Sequence, residues 1–202
     1  MPRPVIKELD LPQYTDSLDE MVDYLNGLTY SAVKTKYNAK EQWQAISIRG
    51  YSEDITNILK PGVLGSLSDL SSLQYTYLYE KIECEHLKKI LWQIPAEFER
   101  VRIMRLRAGT KISKHTDKVD KEIKSGNIIR IHIPLKTSKD VTMSLWKGKE
   151  ETVHNLETGK YYYTDVSKPH AVNNNADFDR LHLVVDCYTN PKIENLIDEH
   201  SN

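Results

Sequence analysis

The apolar pattern of this chain changes period once, near residue 99, and that change limits the folds open to it. Upstream, Leu18, Met21, Val22, Leu25 and Leu28 recur at helical spacing behind a Ser17/Glu20 capping-box pattern. A second apolar face runs through Cys84, Leu87, Ile90, Leu91 and Ile94 until Pro95, which cannot donate to a helical ladder, stops it. Between these helices "EQWQAISIRGY" alternates as a strand does. From residue 99 onward the period is two, in segments at roughly 101–107, 127–134, 141–146, 151–155, 160–164, 169–174 and 180–188, punctuated by Gly109, Gly126, Gly148 and Gly159. Many short strands at close spacing predict a sandwich or barrel rather than βαβ units. Asn190 and Pro191 then open a short helix through Ile193, Leu196 and Ile197.

With 202 residues the chain can bury one substantial core, so a single domain is expected: residues 1–98 a helical and mixed part, 99–188 the β core, 189–202 a terminal helix. Its 28 basic and 29 acidic residues nearly cancel, which points away from a nucleic-acid-coating surface. Cys84 and Cys187 read as two buried thiols in a reducing compartment rather than a disulfide framework. Neither a secretory leader nor a membrane-spanning run of about 18 apolar residues is found, so a cytoplasmic protein without membrane partner is expected.

Two of the β segments match each other. In "IIRIHIPL" Ile129, Ile131, Ile133 and Leu135 share one face, while Arg130 and His132 share the other. "DRLHLVVD" repeats this with Leu181, Leu183 and Val185 against Arg180, His182 and Val184. One such strand ordinarily turns its polar face to water. Two suggest another arrangement, in which the apolar faces pack on the N-terminal helices and the arginines line an interior, where each guanidinium needs an anion to offset its desolvation.

His115 and Asp117, two positions apart in an extended segment, present imidazole and carboxylate to the same side. His170 in "SKPHAVNN" is the candidate third ligand. Two histidines and one carboxylate on a face of an octahedron leave three positions open, as in non-haem Fe(II) oxygenases; structural zinc would close its fourth site. Arg180, ten residues after His170 on the next strand, would grip the far carboxylate of a dicarboxylic keto acid whose other end chelates iron.

Taken together, "RIMRLRAGTKISKHTD", "IIRIHIPLKTSKDVTMSLWKGKEETVHNLETGKYYYTD" and "KPHAVNNNADFDRLHLVVD" resemble the aspartyl/asparaginyl β-hydroxylase family of 2-oxoglutarate and Fe(II) dependent oxygenases, over about residues 100–188. The resemblance implies a mainly β double-stranded β-helix, a cupin-like jelly roll with flanking helices. It also implies metal histidines at His115 and His170, a keto-acid arginine at Arg180, and cosubstrate or ligand-steadying contacts from Arg130 and His132. The family's Gly-Thr turn falls on Gly109 and Thr110, and its strand ending in aspartate on Tyr162 and Asp165. Asp117 as third ligand departs from the vertebrate-type members and agrees with bacterial relatives acting on free amino acids. Fe(II), 2-oxoglutarate and dioxygen are the implied cofactor and cosubstrates. The implied reaction hydroxylates an unactivated C–H bond of an amino acid, or of an Asp/Asn-type residue in a peptide, and releases succinate and carbon dioxide.

His182, Met104 and Trp146 are further candidates for lining the pocket. His86, His154 and His200 are expected to be solvated or to pack, since no ligand partner is near them in sequence. Lys111, Lys114, Lys118, Lys121 and Lys124 form either a solvated loop face or a lid favouring anionic substrates. Tyr30, Tyr37, Trp43, Arg49 and Tyr51 belong either to the core or to a substrate pocket. The rival readings are a non-catalytic cupin-like module binding a metal or small acid, and a zinc hydrolase in which Arg180 has no task.

Overall fold

The computed structural model describes residues 3–35, 38, 40–61, 75–76, 83–117 and 120–198. Tyr37, Lys118 and His200 lie outside the described residues. In chain order the elements are β1 (Ile6–Glu8), α1 (Leu18–Asn26), β2 (Ser31–Ala32), β3 (Trp43–Gly50), β4 (Tyr75–Thr76), α2 (Glu85–Trp92), β5 (Phe98–Leu106) and β6 (Thr110–His115). They continue with α3 (Lys121–Ser125), β7 (Ile128–Lys136), β8 (Val141–Lys147), β9 (Glu150–His154), β10 (Tyr162–Thr164), β11 (His170–Asn174), β12 (Arg180–Tyr188) and α4 (Pro191–Asp198).

The strands form two antiparallel sheets. The larger runs β1-β10-β7-β12-β5-β3-β2 with β4 beside β3, and the smaller runs β6-β11-β8-β9. This is the expected jelly-roll class. The N-terminal third takes a larger part in the sheet than its helical pattern suggests, because β3 pairs with β5 along most of its length and β1 closes the far edge on β10.

The alternation in β7 and β12 determines how the layers assemble. Ile129, Ile131, Ile133 and Leu135 join Leu181, Leu183 and Val185 in the main apolar cluster. The helices cover that face with Met21, Val22 and Leu25 of α1, Leu87, Ile90 and Leu91 of α2, and Ile193 and Ile197 of α4. Burying each such side chain contributes about 1.5–3 kcal/mol. The opposite face therefore turns toward the smaller sheet, and a second cluster with Leu106, Tyr162, Ile112, Met143, Leu145 and Val172 joins the two sheets.

Two helix starts behave differently. Asn190 caps α4, its Oδ1 accepting from the amides of Lys192 at 2.9 Å and Ile193 at 3.0 Å. The Ser17 capping box does not form: Ser17 sits in left-handed backbone, φ 44°, and its hydroxyl makes no capping bond. The segment expected as a charged loop contains α3, capped by Asp120 through the amides of Glu122 and Ile123 and ended by Gly126 at φ +82°. Lys121 and Lys124 on it are exposed, as is Lys111, while Lys114 places its ammonium 3.9 Å from the Trp146 ring.

Candidate metal centre and anion pocket

His115 ends β6 directly opposite His170, the first residue of β11. The register slips between His170 and Val172, so that Val172 faces Ile112, three positions before His115. This bulge lets Ile112 and His115 face the same interior despite their odd spacing. Asp117 follows the strand end, and its amide donates to the Val166 carbonyl at 2.9 Å. The result is one ligand atom from each of His115, Asp117 and His170, all within 4.8 Å of one another.

The protonation states suit a cation. His115 Nδ1 lies 2.8 Å from the Ser113 carbonyl and His170 Nδ1 lies 3.0 Å from that of Lys168. A carbonyl can only accept, so each Nδ1 carries a proton and Nε2 is the ring atom left to face a metal. Burial, followed by the like charge of His115, pushes His170 down to about 4 against the pull of Asp117, so its ring is neutral at pH 7. Burial would raise the Asp117 carboxyl, but Arg130, His170 and His115 together hold it below its ordinary value. Arg130 Nη1 donates to Asp117 Oδ2, while Oδ1 faces His115 Nε2 at 3.7 Å.

Above these ligands the inner face of the larger sheet is arranged in rows across β7, β12, β5 and β3. Arg130, Asp186 and Arg100 form the first, and His132, Val184, Arg102 and Ser47 the second. His182 and Met104 sit side by side in the third, and Arg180, Leu106 and Trp43 make the last. Asp186 is fully buried and binds three guanidiniums: Arg130 at 2.6 and 3.1 Å, Arg102 at 2.8 Å and Arg100 at 3.0 Å. Arg130 is thus committed to Asp117 and Asp186 rather than free for an added anion.

A cavity of about 70 Å³ brings His115, Asp117, His170, Arg180, His132 and Met104 together, several times the space of roughly 10–15 Å³ that one water needs. Arg180 is buried without an acidic partner among the described residues. Its Nη2 donates to His182 Nδ1 at 2.6 Å and its Nε has no protein acceptor. Because His182 Nδ1 accepts, its proton is on Nε2, and that atom too lacks a partner, as do both nitrogens of His132. Desolvation lowers Arg180 to about 9, and it holds His132 and His182 well below their ordinary value, neutral at pH 7. The pocket is thus rich in donors without acceptors, and the group that satisfies donors alone is a carboxylate.

Trp146 does not reach this cavity. On β8 the inward residues are Val141, Met143 and Leu145, so Trp146 points to the outer face, under Lys114. Trp43, left open between core and pocket, does reach it. Tyr30 instead stacks on Arg105 at 3.9 Å, and Arg49 donates to the Phe98 carbonyl at 2.9 Å. His86 bonds Tyr14, and His154 bonds Thr152 at 2.8 Å, and neither belongs to the cluster of His115, Asp117 and His170. The sequence reading missed Arg100, Arg102 and Asp186; the alternation of Arg100, Arg102 and Met104 with Val101 and Ile103 carried the same signal as "IIRIHIPL".

The fold has known counterparts. An oxidoreductase of the 2OG-Fe(II) oxygenase family from Burkholderia pseudomallei aligns over 85% of this chain and 77% of its own at 13% identity, TM-score 0.50. SnoN, a non-heme alpha ketoglutarate dependent epimerase from nogalamycin biosynthesis, aligns over 99% of this chain and 86% of its own at 10% identity, TM-score 0.54. The non-heme monooxygenase ThoJ, as its nickel complex, aligns over 51% of this chain at 16% identity, TM-score 0.39, so the chain spans about half (49%) of ThoJ's length. No curated protein sequence matches. The family model described as aspartyl/asparaginyl beta-hydroxylase matches residues 15–190, and with that span the chain belongs to the aspartyl/asparaginyl β-hydroxylase family.

Proposed function

We propose that this protein is an Fe(II) and 2-oxoglutarate dependent dioxygenase that hydroxylates an unactivated C–H bond of an amino acid, or of an Asp/Asn-type residue in a peptide. The observation that carries this reading is Arg180: a buried guanidinium without a carboxylate among the described residues, in the same cavity as two histidines and an aspartate converging on one point. A zinc hydrolase gives that guanidinium no task, and a non-catalytic module binding only a small acid gives none to the converging His115, Asp117 and His170.

His115 Nε2, His170 Nε2 and Asp117 Oδ1 would hold the iron, a donor set of two imidazoles and one carboxylate that suits Fe(II) and leaves room for a chelating cosubstrate. Bound Fe(II) supplies dioxygen activation coupled to decarboxylation of 2-oxoglutarate, yielding succinate, carbon dioxide and an alcohol. The chain's own residues bind and orient. Arg180 anchors the far carboxylate of the keto acid, His182 and His132 offer the remaining donors, and Arg130 fixes the Asp117 carboxylate by occupying its outer oxygen. Ile112, Met143, Val172 and Val184 close the cavity with apolar surface and keep water from the ligands.

A small molecule or peptide as partner, rather than nucleic acid or membrane, and a cytoplasmic location belong to the same proposal. They are supported by the balanced charge and by free, buried Cys84 and Cys187. Among the described residues no helix is long and apolar enough to cross a membrane.

The test is spectroscopic. Anaerobic protein given Fe(II) and 2-oxoglutarate is expected to develop a visible metal-to-ligand absorption band, absent in His115→Ala and much weakened in Arg180→Ala. A folded wild-type chain without that band overturns the reading.

A further inference from the structure

A second cavity, of about 110 Å³, adjoins the first and shares Trp43, Arg102, Asp117 and Arg130 with it, but excludes Arg180. Its chemistry is of two kinds. Val33, Ile58 and Leu59 give it apolar surface, which continues into the cluster of Ala45, Met104 and Val184 through Trp43. Arg100, Arg102 and Arg130 give it positive charge, all three drawn from the row around Asp186.

Arg102 is the least satisfied of the three. Arg102 and Arg100 are each only 8% exposed, each makes one hydrogen bond to the same Asp186 oxygen, and each has an Nε without an acceptor, but Arg100 also lies 3.4 Å from Glu99 and 4.0 Å from Asp120, whereas Arg102 pairs with Asp186 alone. Burial, then the neighbouring guanidinium of Arg100, pushes it down to about 9 against the pull of Asp186. Apart from Lys34, which is exposed to solvent, the charges on this wall are otherwise matched: Lys60 lies 3.1 Å from Glu99 and 2.8 Å from Asp120, and Arg130 lies between Asp186 and Asp117. Once the Asp117 charge is committed to a metal, the described groups shielded from solvent are one anion short, and the shortfall is at Arg102.

We propose that Arg102 is the substrate's anchor, and that the substrate is a carboxylate with an apolar body, bound through its carboxylate at Arg102 with that body against Val33, Ile58, Leu59 and Trp43. This rests on the oxygenase reading and narrows it. An internal residue of a peptide with an apolar side chain has no carboxylate, so the acid is a free apolar amino acid or the C-terminal residue of a peptide. An aspartyl side chain supplies the charge but leaves the apolar wall without a partner. Arg102 thereby separates two anion seats in one interior: Arg180 for the keto acid, Arg102 for the molecule to be oxidised.

The test is calorimetric titration of the anaerobic Fe(II)-loaded chain with L-valine, L-leucine, L-isoleucine, L-proline and L-phenylalanine, with their amides, with L-aspartate, and with a short peptide ending in leucine. At least one apolar acid is expected to bind about tenfold or more tightly than its own amide and than aspartate, the loss expected for a charge-assisted hydrogen bond. Comparison of leucine with the leucine-terminated peptide identifies the source. Arg102→Gln is expected to lose about the same factor for the acid while its affinity for 2-oxoglutarate holds, and Arg180→Gln to do the reverse. An amide binding as well as its acid, a preference for aspartate, or no binding by any apolar acid overturns the proposal, on the unmodified chain and without reference to Arg102→Gln. Failure of the oxygenase reading is distinct: it removes 2-oxoglutarate binding and the visible band, which the same sample reports.

Discussion

At the scale of single residues, the centre is organised less by its ligands than by what holds them. Asp117 lies beyond the end of its strand, in a short link that packing alone orients poorly. Arg130 compensates by gripping the oxygen that faces away from His115, and Asp186 in turn fixes Arg130 through two bonds. Arg130→Gln is therefore expected to weaken Fe(II) affinity about 10–100-fold, the usual cost of losing a group that orients a metal ligand. Chelator competition measures it, and an unchanged affinity counts against the supporting role.

The buried histidines have a consequence for pH. His132 and His182 are held well below the ordinary imidazole value, first by burial and then by the Arg180 charge. The unfolded chain takes up protons near pH 6.5 that the folded chain refuses until far lower pH, so unfolding binds protons and stability falls as pH drops below 6.5. Each histidine contributes a slope of up to about 1.4 kcal/mol per pH unit in that window. Urea titrations at pH 7 and pH 5 are expected to show the loss, and a His182→Gln variant a shallower one. Equal stability at the two pH values refutes the assignment of these rings as buried and neutral.

At the scale of elements, local sequence signals succeeded where the backbone they require was available. Asn190, which is not in left-handed backbone, caps its helix; Ser17 has the right hydroxyl and the right partner at Glu20, yet its left-handed backbone prevents the capping bond. The five residues of α3 are too few to show a helical period, so its sequence reads as a charged loop and its start at Asp120 emerges only from the structure. The bulge in β6 left no mark in the apolar pattern at all, although it turns His115 inward. Gly159 makes a sharper case. Its φ is +75°, and a Cβ there would lie 1.9 Å from the Tyr14 carbonyl oxygen, at a point where Gly159 also bonds Tyr14 and Pro134. Gly159→Ala is expected to cost at least about 1–2 kcal/mol from the left-handed conformation alone, and more from the clash. Thermal unfolding measures it, and a midpoint within error of wild type contradicts this account.

At the scale of the whole molecule, the two faces of the larger sheet divide the work. One buries the isoleucines of β7 and leucines of β12 under α1, α2 and α4, and stability comes largely from there. The other carries arginines and histidines at a cost, which Asp186 offsets by accepting from three guanidiniums at once. Those three guanidiniums hold the Asp186 carboxyl far below the usual carboxylate range, against a burial that alone would raise it. Asp186→Asn leaves three buried cations around a neutral amide, and breaking a buried ionic cluster costs about 3–5 kcal/mol. Denaturant midpoints are expected to fall accordingly; a change under about 1 kcal/mol shows that the cluster is not held by Asp186.

The sequence by itself determined the strand-rich second half, the covering of β7 and β12 by helices, and the candidates His115, Asp117, His170 and Arg180, because alternation and ligand spacing are local properties. It left Arg102, Asp186 and Trp43 unassigned, since each owes its place to strand pairing between segments distant along the chain. β5 sets Arg102 beside Val184, and β12 sets Asp186 between Arg130 and Arg100. Only the tertiary structure decided which cations are matched by carboxylates and which are left for a ligand. That balance is a sum over neighbours in space, and in this fold the neighbours come from β5, β7 and β12 and from the links that carry Lys60, Asp117 and Asp120.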